Sequence, residues 1–220
     1  MEIESQNFHE SESTPEVVFN CSVNSEFWRV KNTLSRYEWY KKQGYRLKFP
    51  SIISEKLIDI DKITDEDIKN AIADEFNVDE FGEQKRLIEE AWGSIKDRFF
   101  ENLKTLGLPI QDKYFITLTK YGGGGSYHYP NNVILNIDRG ENAHYTIAHE
   151  IVHATIQPLI EKYNIDHWVK ERIVDLTTNK FFPEKQRLQR DIENSEKIKE
   201  IFDANFPNMT EIIKAVSEIK

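Results

Sequence analysis

The sequence predicts an α+β fold, mainly helical, with a small mixed sheet packed on a few long helices. Three observations predict it. Apolar residues recur at helical spacing over most of the chain. Only two short stretches, both in the middle, are rich in the residues that favour strands. A length of 220 residues with 39% hydrophobic content buries a substantial core, as one domain or as a small domain with an extension.

Residues 1–16, dominated by Ser, Glu, Gln and Asn, read as a disordered acidic tail. Residues 17–82 read as a helical N-terminal extension. Phe27, Val30, Leu34 and Tyr37 share one face of a helix over 25–43, which Gly44 stops. A second helix starts at Thr64, where Asp67 completes a capping box, and buries Ile68, Ile72 and Phe76. The stretch 83–106 sets Ile88, Trp92, Ile95, Phe99, Leu103 and Leu106 along one stripe and stops at Gly107, with Pro109 beyond. That helix would back the sheet. Lys113 to Thr119 and 133–137 read as strands. Between them, Gly122, Gly123, Gly124 and Gly125 suit a flexible rim; no Lys-Ser/Thr follows them and a strand comes next, so they are not a phosphate cradle. Pro158 disfavours helical geometry at Gln157, which predicts that the helix around residue 150 ends or kinks about one turn past His153. Asp166 is the expected N-cap of the next helix, which Pro183 closes. Two amphipathic helices, 184–204 and 209–219, follow and pack on the rest.

His149-Glu150-Ile151-Val152-His153 is the segment that specifies chemistry. On an α-helix a four-residue step rotates by about 40°, so both rings leave one face and can hold a single metal ion. Glu150 then lies beside that ion, placed to take a proton from a metal-activated water and pass it to a leaving amine. Ile147, Ala148, Ile151, Val152, Ala154 and Ile156 make the helix apolar on most of its circumference and therefore buried. Imidazole and carboxylate are costly in such surroundings unless they are paired or bind a metal.

A catalytic zinc site needs a third ligand. The arrangement in which Gly and His follow the motif three and six residues on is excluded, because Ile156 and Leu159 hold those places. Glu171-Arg172-Ile173-Val174-Asp175 offers instead a carboxylate pair at helical i, i+4 spacing. His167 is the rival third ligand. With these residues the chain resembles the gluzincin metallopeptidases, and in layout their smallest kind, the minigluzincins. That resemblance implies that His149, His153 and Glu171 hold one Zn²⁺ per chain, and that Asp175 orients one imidazole by accepting its free N–H. It also implies a peptidase domain over 83–182, in which the sheet packs on the backing helix, the active-site helix and the helix bearing Glu171. In gluzincins an edge strand before the active-site helix pairs with the substrate main chain. The segment from Tyr127 to Ile137 occupies that place, so Tyr127, Asn132, Val133, Ile134 and Leu135 are the expected peptide-binding residues. The resemblance further implies that a Tyr or His downstream of the motif stabilises the oxyanion, for which this chain offers Tyr163 and His167.

The net charge of −9 disfavours nucleic acid and anionic membrane surfaces as partners. A single cysteine, Cys21, forms no internal disulfide. The first 28 residues carry no Lys or Arg and no apolar run of membrane length, so a cytoplasmic protein is expected. Read together, these features predict a zinc-dependent peptidase acting on peptides or proteins. The alternative is a catalytically silent or latent zinc-binding module, with the N- or C-terminal segments occupying the cleft.

Overall fold

The computed structural model describes residues 14–219. An α+β fold results, mainly helical, with one four-stranded mixed sheet. Its strands are β1 (Glu16–Asn20), β2 (Lys113–Thr119), β3 (Gly125–His128) and β4 (Asn132–Asn136), in the spatial order β1-β2-β4-β3. β1, β2 and β4 are parallel, and β3 runs antiparallel to β4. Tyr114, Ile116 and Leu118 of β2 and Val133 and Leu135 of β4 turn to one face and are buried there. Among the described residues no helix is long and apolar enough to cross a membrane.

The strand β1 lies where a purely helical extension was expected. Its five residues pair with Lys113 to Thr117, so the N-terminal segment enters the sheet. Of the expected tail, residues 1–13 lie outside the described residues. Next come α1 (Val23–Ser35) and α2 (Tyr37–Gln43), separated by a break at Arg36 in the predicted single helix, with Gly44 capping the second in the left-handed conformation at φ 80°. Buried Glu26 fastens α1 to the end of β2, accepting from Thr119 Oγ1 at 2.6 Å and from the Lys120 backbone N–H at 2.7 Å. One turn further on, that anchor aims Arg29 at the far end of the sheet.

A short α3 (Ser51–Lys56) and a 3₁₀ segment (Leu57–Lys62) lead to α4 (Asp65–Glu75), whose Thr64–Asp67 capping box forms as predicted. Together with α1 they enclose a small satellite core of Val30, Phe49, Ile53, Ile68, Ile72 and Tyr121. The expected backing helix is two helices, α5 (Val78–Gly93) and α6 (Lys96–Lys104). Ser94 Oγ donates to the Ala91 carbonyl at 2.6 Å, a local bond that competes with the helical ladder beside Gly93. The bend leaves Trp92, Ile95, Phe99 and Phe100 all in the main core.

A 3₁₀ turn (Ile137–Asn142) opens into α7 (Ala143–Lys162), the longest helix. Pro158 does not end α7: the chain stays helical to Lys162, with Ile156 and Ile160 in the main core. Proline removes one backbone bond, and the burial of those two side chains outweighs the loss. Asp166 caps α8 (His167–Phe181), accepting from Trp168 N–H at 2.8 Å. Residues 184–194, expected to be helical, are not. Asn179 takes the backbone of Arg187 in a two-bond clasp of 2.7 and 2.8 Å, and the segment runs back over the ends of α7 and α8 before α9 (Ser195–Asn205) and α10 (Met209–Ser217). Those two helices complete the main core with Ile198, Phe202, Met209, Ile212 and Ile213.

Candidate metal centre

α7 and α8 pack side by side beneath the sheet and bring His149, His153 and Glu171 together with all three side chains buried. His149 Nε2 and His153 Nε2 are 3.0 Å apart, His153 Nε2 and Glu171 Oε2 3.2 Å, and His149 Nε2 and Glu171 Oε2 3.4 Å. Ligands about 2.0–2.1 Å from a tetrahedral zinc stand roughly 3.3 Å from one another, so the triangle has the edges of such a site. The Gln189 amide offers N–H groups to two of these three atoms, whereas a cation at the centre of the triangle would engage all three at once. The two imidazoles, the Glu171 carboxylate and their spacing fit a divalent transition ion.

The far nitrogens support that assignment. His149 Nδ1 faces Asp175 Oδ1 at 3.6 Å, just outside hydrogen-bond reach, and neither atom has another hydrogen-bond partner among the described residues. A proton on Nδ1 leaves Nε2 free to ligate, and Asp175 is the group placed to hold that tautomer. The expected pairing of Asp175 with an imidazole is thus one of position, with the contact slightly open. Burial pushes the His149 imidazole down to about 4 and lowers His153 too, so both rings are neutral donors at neutral pH. Glu171 is lowered against its own burial by contact with His153 and His149, an effect that holds while an imidazole carries the proton between them. Glu150 goes the other way, raised to about 8 by burial and by the Glu171 carboxylate.

The triangle lies in the floor of a cavity of about 670 Å³, which Glu150 also lines. Tyr127 stacks flat on His153, ring centroids 5.0 Å apart and 4° from parallel. Its hydroxyl donates to Gln157 Oε1 at 2.5 Å and accepts from Lys170 Nζ at 3.2 Å. Across the opening, Tyr45 stacks on Trp168 and its hydroxyl meets His167 Nε2 at 2.9 Å. His167 contributes no atom to the ligand triangle; its Nδ1 stands 3.8 Å from Glu171 Oε1.

Three sequence expectations need correction. β4 lies between β2 and β3, so the main chain of Asn132, Val133, Ile134 and Leu135 is engaged on both sides and has no edge to offer a peptide. The edge belongs to β3: among the described residues nothing pairs with the outer side of Gly125 to His128. Tyr163 packs against the main core at the end of α7, away from the cavity lining, which leaves His167 as the nearer of the two oxyanion candidates. Finally, the glycine run is more than a rim. A Cβ on Gly122 would stand 2.3 Å from Arg29 Nε, one on Gly124 1.2 Å from an Arg139 guanidinium nitrogen, and one on Gly125 2.5 Å from Glu150 Oε1. Each of these three glycines seats a charged side chain of the cavity.

Two participants were not visible in the sequence. Tyr45 comes from the turn after α2, 122 residues before its partner His167. Gln189 comes from the irregular segment after α8, and its side-chain amide reaches the ligand triangle, Nε2 lying 2.5 Å from Glu171 Oε2 and 3.0 Å from His149 Nε2. Its backbone N–H is held by Asp175 Oδ2 at 2.7 Å. Lone Tyr and Gln residues in irregular segments carry no spacing signal. No protein-family model, curated protein or solved structure matches the chain.

Proposed function

We propose that the chain is a zinc-dependent peptidase of gluzincin type. The observation that carries this reading is the triangle of His149 Nε2, His153 Nε2 and Glu171 Oε2, with edges of 3.0–3.4 Å, in one cavity with Glu150 and beside the free edge of β3. Zinc is the reading that the donor set, two imidazoles and one carboxylate facing a cavity, supports. When bound, the ion supplies Lewis acidity to a water and to the scissile carbonyl.

The chain's own residues supply the rest. An extended peptide pairs with the outer edge of β3 through main-chain hydrogen bonds, which presents its carbonyl above the triangle. Glu150 Oε1, seated against Gly125, takes the proton as the water oxygen adds to the carbonyl carbon, and returns it to the nitrogen as the C–N bond breaks. His167, with Tyr45 on its Nε2, is positioned to donate to the carbonyl oxygen as it gains charge. Tyr127, stacked on His153, holds that ring and excludes water from one side.

The test is Glu150→Gln, incubated in the zinc-loaded state with a mixed peptide library and analysed by mass spectrometry. The expected result is an unchanged zinc content with cleavage reduced by a factor of about 10²–10⁴. Undiminished cleavage by the variant overturns the assignment. A second reading, latency, is favoured by one observation: the Gln189 amide stands at the open face of the triangle. In that reading the C-terminal segment restrains the same site.

A further inference from the structure

Beside the large cavity lies a smaller one of about 230 Å³ that shares Arg139, Thr146, His149 and Arg187 with it. It is below the roughly 300–1,000 Å³ of pockets that take whole ligands, and it touches a residue of the metal triangle, so it has room for one side chain of a molecule held there. Its charged lining is Arg139, Lys185 and Arg187, with no Asp or Glu. This occurs in a chain with 38 acidic residues against 29 basic ones, where a counter-ion was easy to supply. The buried Nε of Arg139 has no hydrogen-bond partner among the described residues, and Glu150, the acid whose charge acts on it, forms no direct ion pair with it. Arg187 has one acid in reach, Asp175 Oδ1 at 3.8 Å from its Nε, and its backbone is fixed by Asn179. Lys185 rests 6.0 Å over the ring of Tyr145, which meets Phe182 edge to face at 5.1 Å. Tyr145 and Phe182 therefore give the pocket an aromatic wall, and three cations line the rest.

A half-buried guanidinium without a counter-ion costs free energy, and a ligand that brings the anion relieves that cost. The aromatic wall accepts methylenes. From this we infer that the pocket selects a carboxylate on the peptide beside the scissile bond, that of an Asp or Glu side chain or of the peptide's own C-terminus, so that the enzyme acts on acidic peptides. This rests on the peptidase reading above. Arg139 is the central residue: its guanidinium lies on Gly124, whose missing side chain gives it the space.

The experiment uses the full chain loaded with zinc and four peptides. Three are acetylated and amidated at their ends and differ only in Glu, Gln or Lys at one position; the fourth has no acidic side chain and a free C-terminal carboxylate. Affinity is measured calorimetrically on the Glu150→Gln protein, and cleavage on the unaltered protein. The expected result is that the Glu peptide binds about tenfold or more tightly than the Gln peptide, with the Lys peptide weakest, and that added salt reduces the advantage. Arg139→Gln should bring Glu and Gln within about twofold of each other. Lys185→Gln, at an exposed position where folding is not at risk, should narrow the gap in part. Preferential binding of the fourth peptide alone identifies the chain terminus as the source of the carboxylate. Equal affinity for Glu, Gln and Lys peptides overturns the inference. Cleavage without acidic preference removes the pocket and leaves the peptidase; a preference in binding with no peptide cut does the reverse.

Discussion

The floor and the walls of the large cavity are built on different principles. The floor comes from two adjacent helices, α7 and α8, and every side chain of the triangle is set by helical period and buried in the main core. The walls come from segments far apart in the chain: Arg29 and Tyr45 near the N-terminus, the glycine run, Arg139, and Gln189 in the segment after α8. The floor is rigid because apolar neighbours such as Ile147, Ile151, Val152, Ile173 and Val174 surround it. The walls are held by a few polar clasps, among them Glu26 on Thr119 and Asn179 on Arg187. The triangle thus sits among buried apolar neighbours, while the walls depend on contacts between segments distant in the chain.

If that division holds, damage to the floor should abolish function and damage to the walls should tune it. The largest effect is expected from His153→Ala, which removes one corner of the triangle and the ring beneath Tyr127. Bound zinc measured by atomic absorption should fall from about one per chain to near zero, and peptide cleavage with it. Chelation of the unaltered protein should have a related consequence. Metal present at about 1,000 times its Kd stabilises by roughly 4 kcal/mol, so stripping it should lower Tm on the order of 10 °C. A chelated sample that melts at the same temperature would show that the triangle holds no ion in solution.

The glycine run permits a finer comparison, because it touches floor and walls within four residues. Gly125→Ala puts a Cβ 2.5 Å from Glu150 Oε1 and 2.7 Å from Thr146 Cγ2, both on α7, so the strand and helix must part. A cost of about 1–3 kcal/mol in denaturant unfolding is expected, together with reduced cleavage. Gly124→Ala meets first the end of the Arg139 side chain, which can swing away. Stability should change by less than about 0.5 kcal/mol, while the acidic preference is lost. Gly123→Ala, with nothing within 4 Å of its Cβ, is the control and should leave both properties unchanged. Equal effects from Gly123→Ala and Gly125→Ala would erase the distinction between seat and rim.

The same division explains what the sequence revealed. His149 and His153 were legible from helical spacing alone, and the family resemblance singled out Glu171 and Asp175; one period, 3.6 residues, then governs where the side chains of each helix point. Thr64 with Asp67 and Gly44 were legible for a similar reason: capping chemistry is local. What escaped depends on distant partners. β1 has only five residues and is strand because β2 offers it a ladder. The order of β4 and β3 decides which strand has an open edge, and neither segment carries that information in its own composition. Pro158 was read by its local cost, but the apolar neighbours on α7 prevailed. The segment 184–194 has helical periodicity yet is drawn out of the helix by Asn179 and Asp175, which bond its backbone directly.

Gln189 lies on the boundary between floor and wall, and its expected effect on activity is modest. It is tethered at its backbone by Asp175, the residue that also faces His149, so the wall reaches the triangle through the same carboxylate that supports it. Its side-chain amide must leave Glu171 Oε2 before a peptide carbonyl can approach that face. Releasing one such hydrogen bond is worth about 0.5–1.5 kcal/mol, so Gln189→Ala should raise kcat/KM roughly two- to twelvefold. Zinc affinity should stay within about threefold, because the three donor atoms are untouched. A fall in both activity and zinc affinity would instead make Gln189 a working part of the metal site, and the segment after α8 would then belong to the floor.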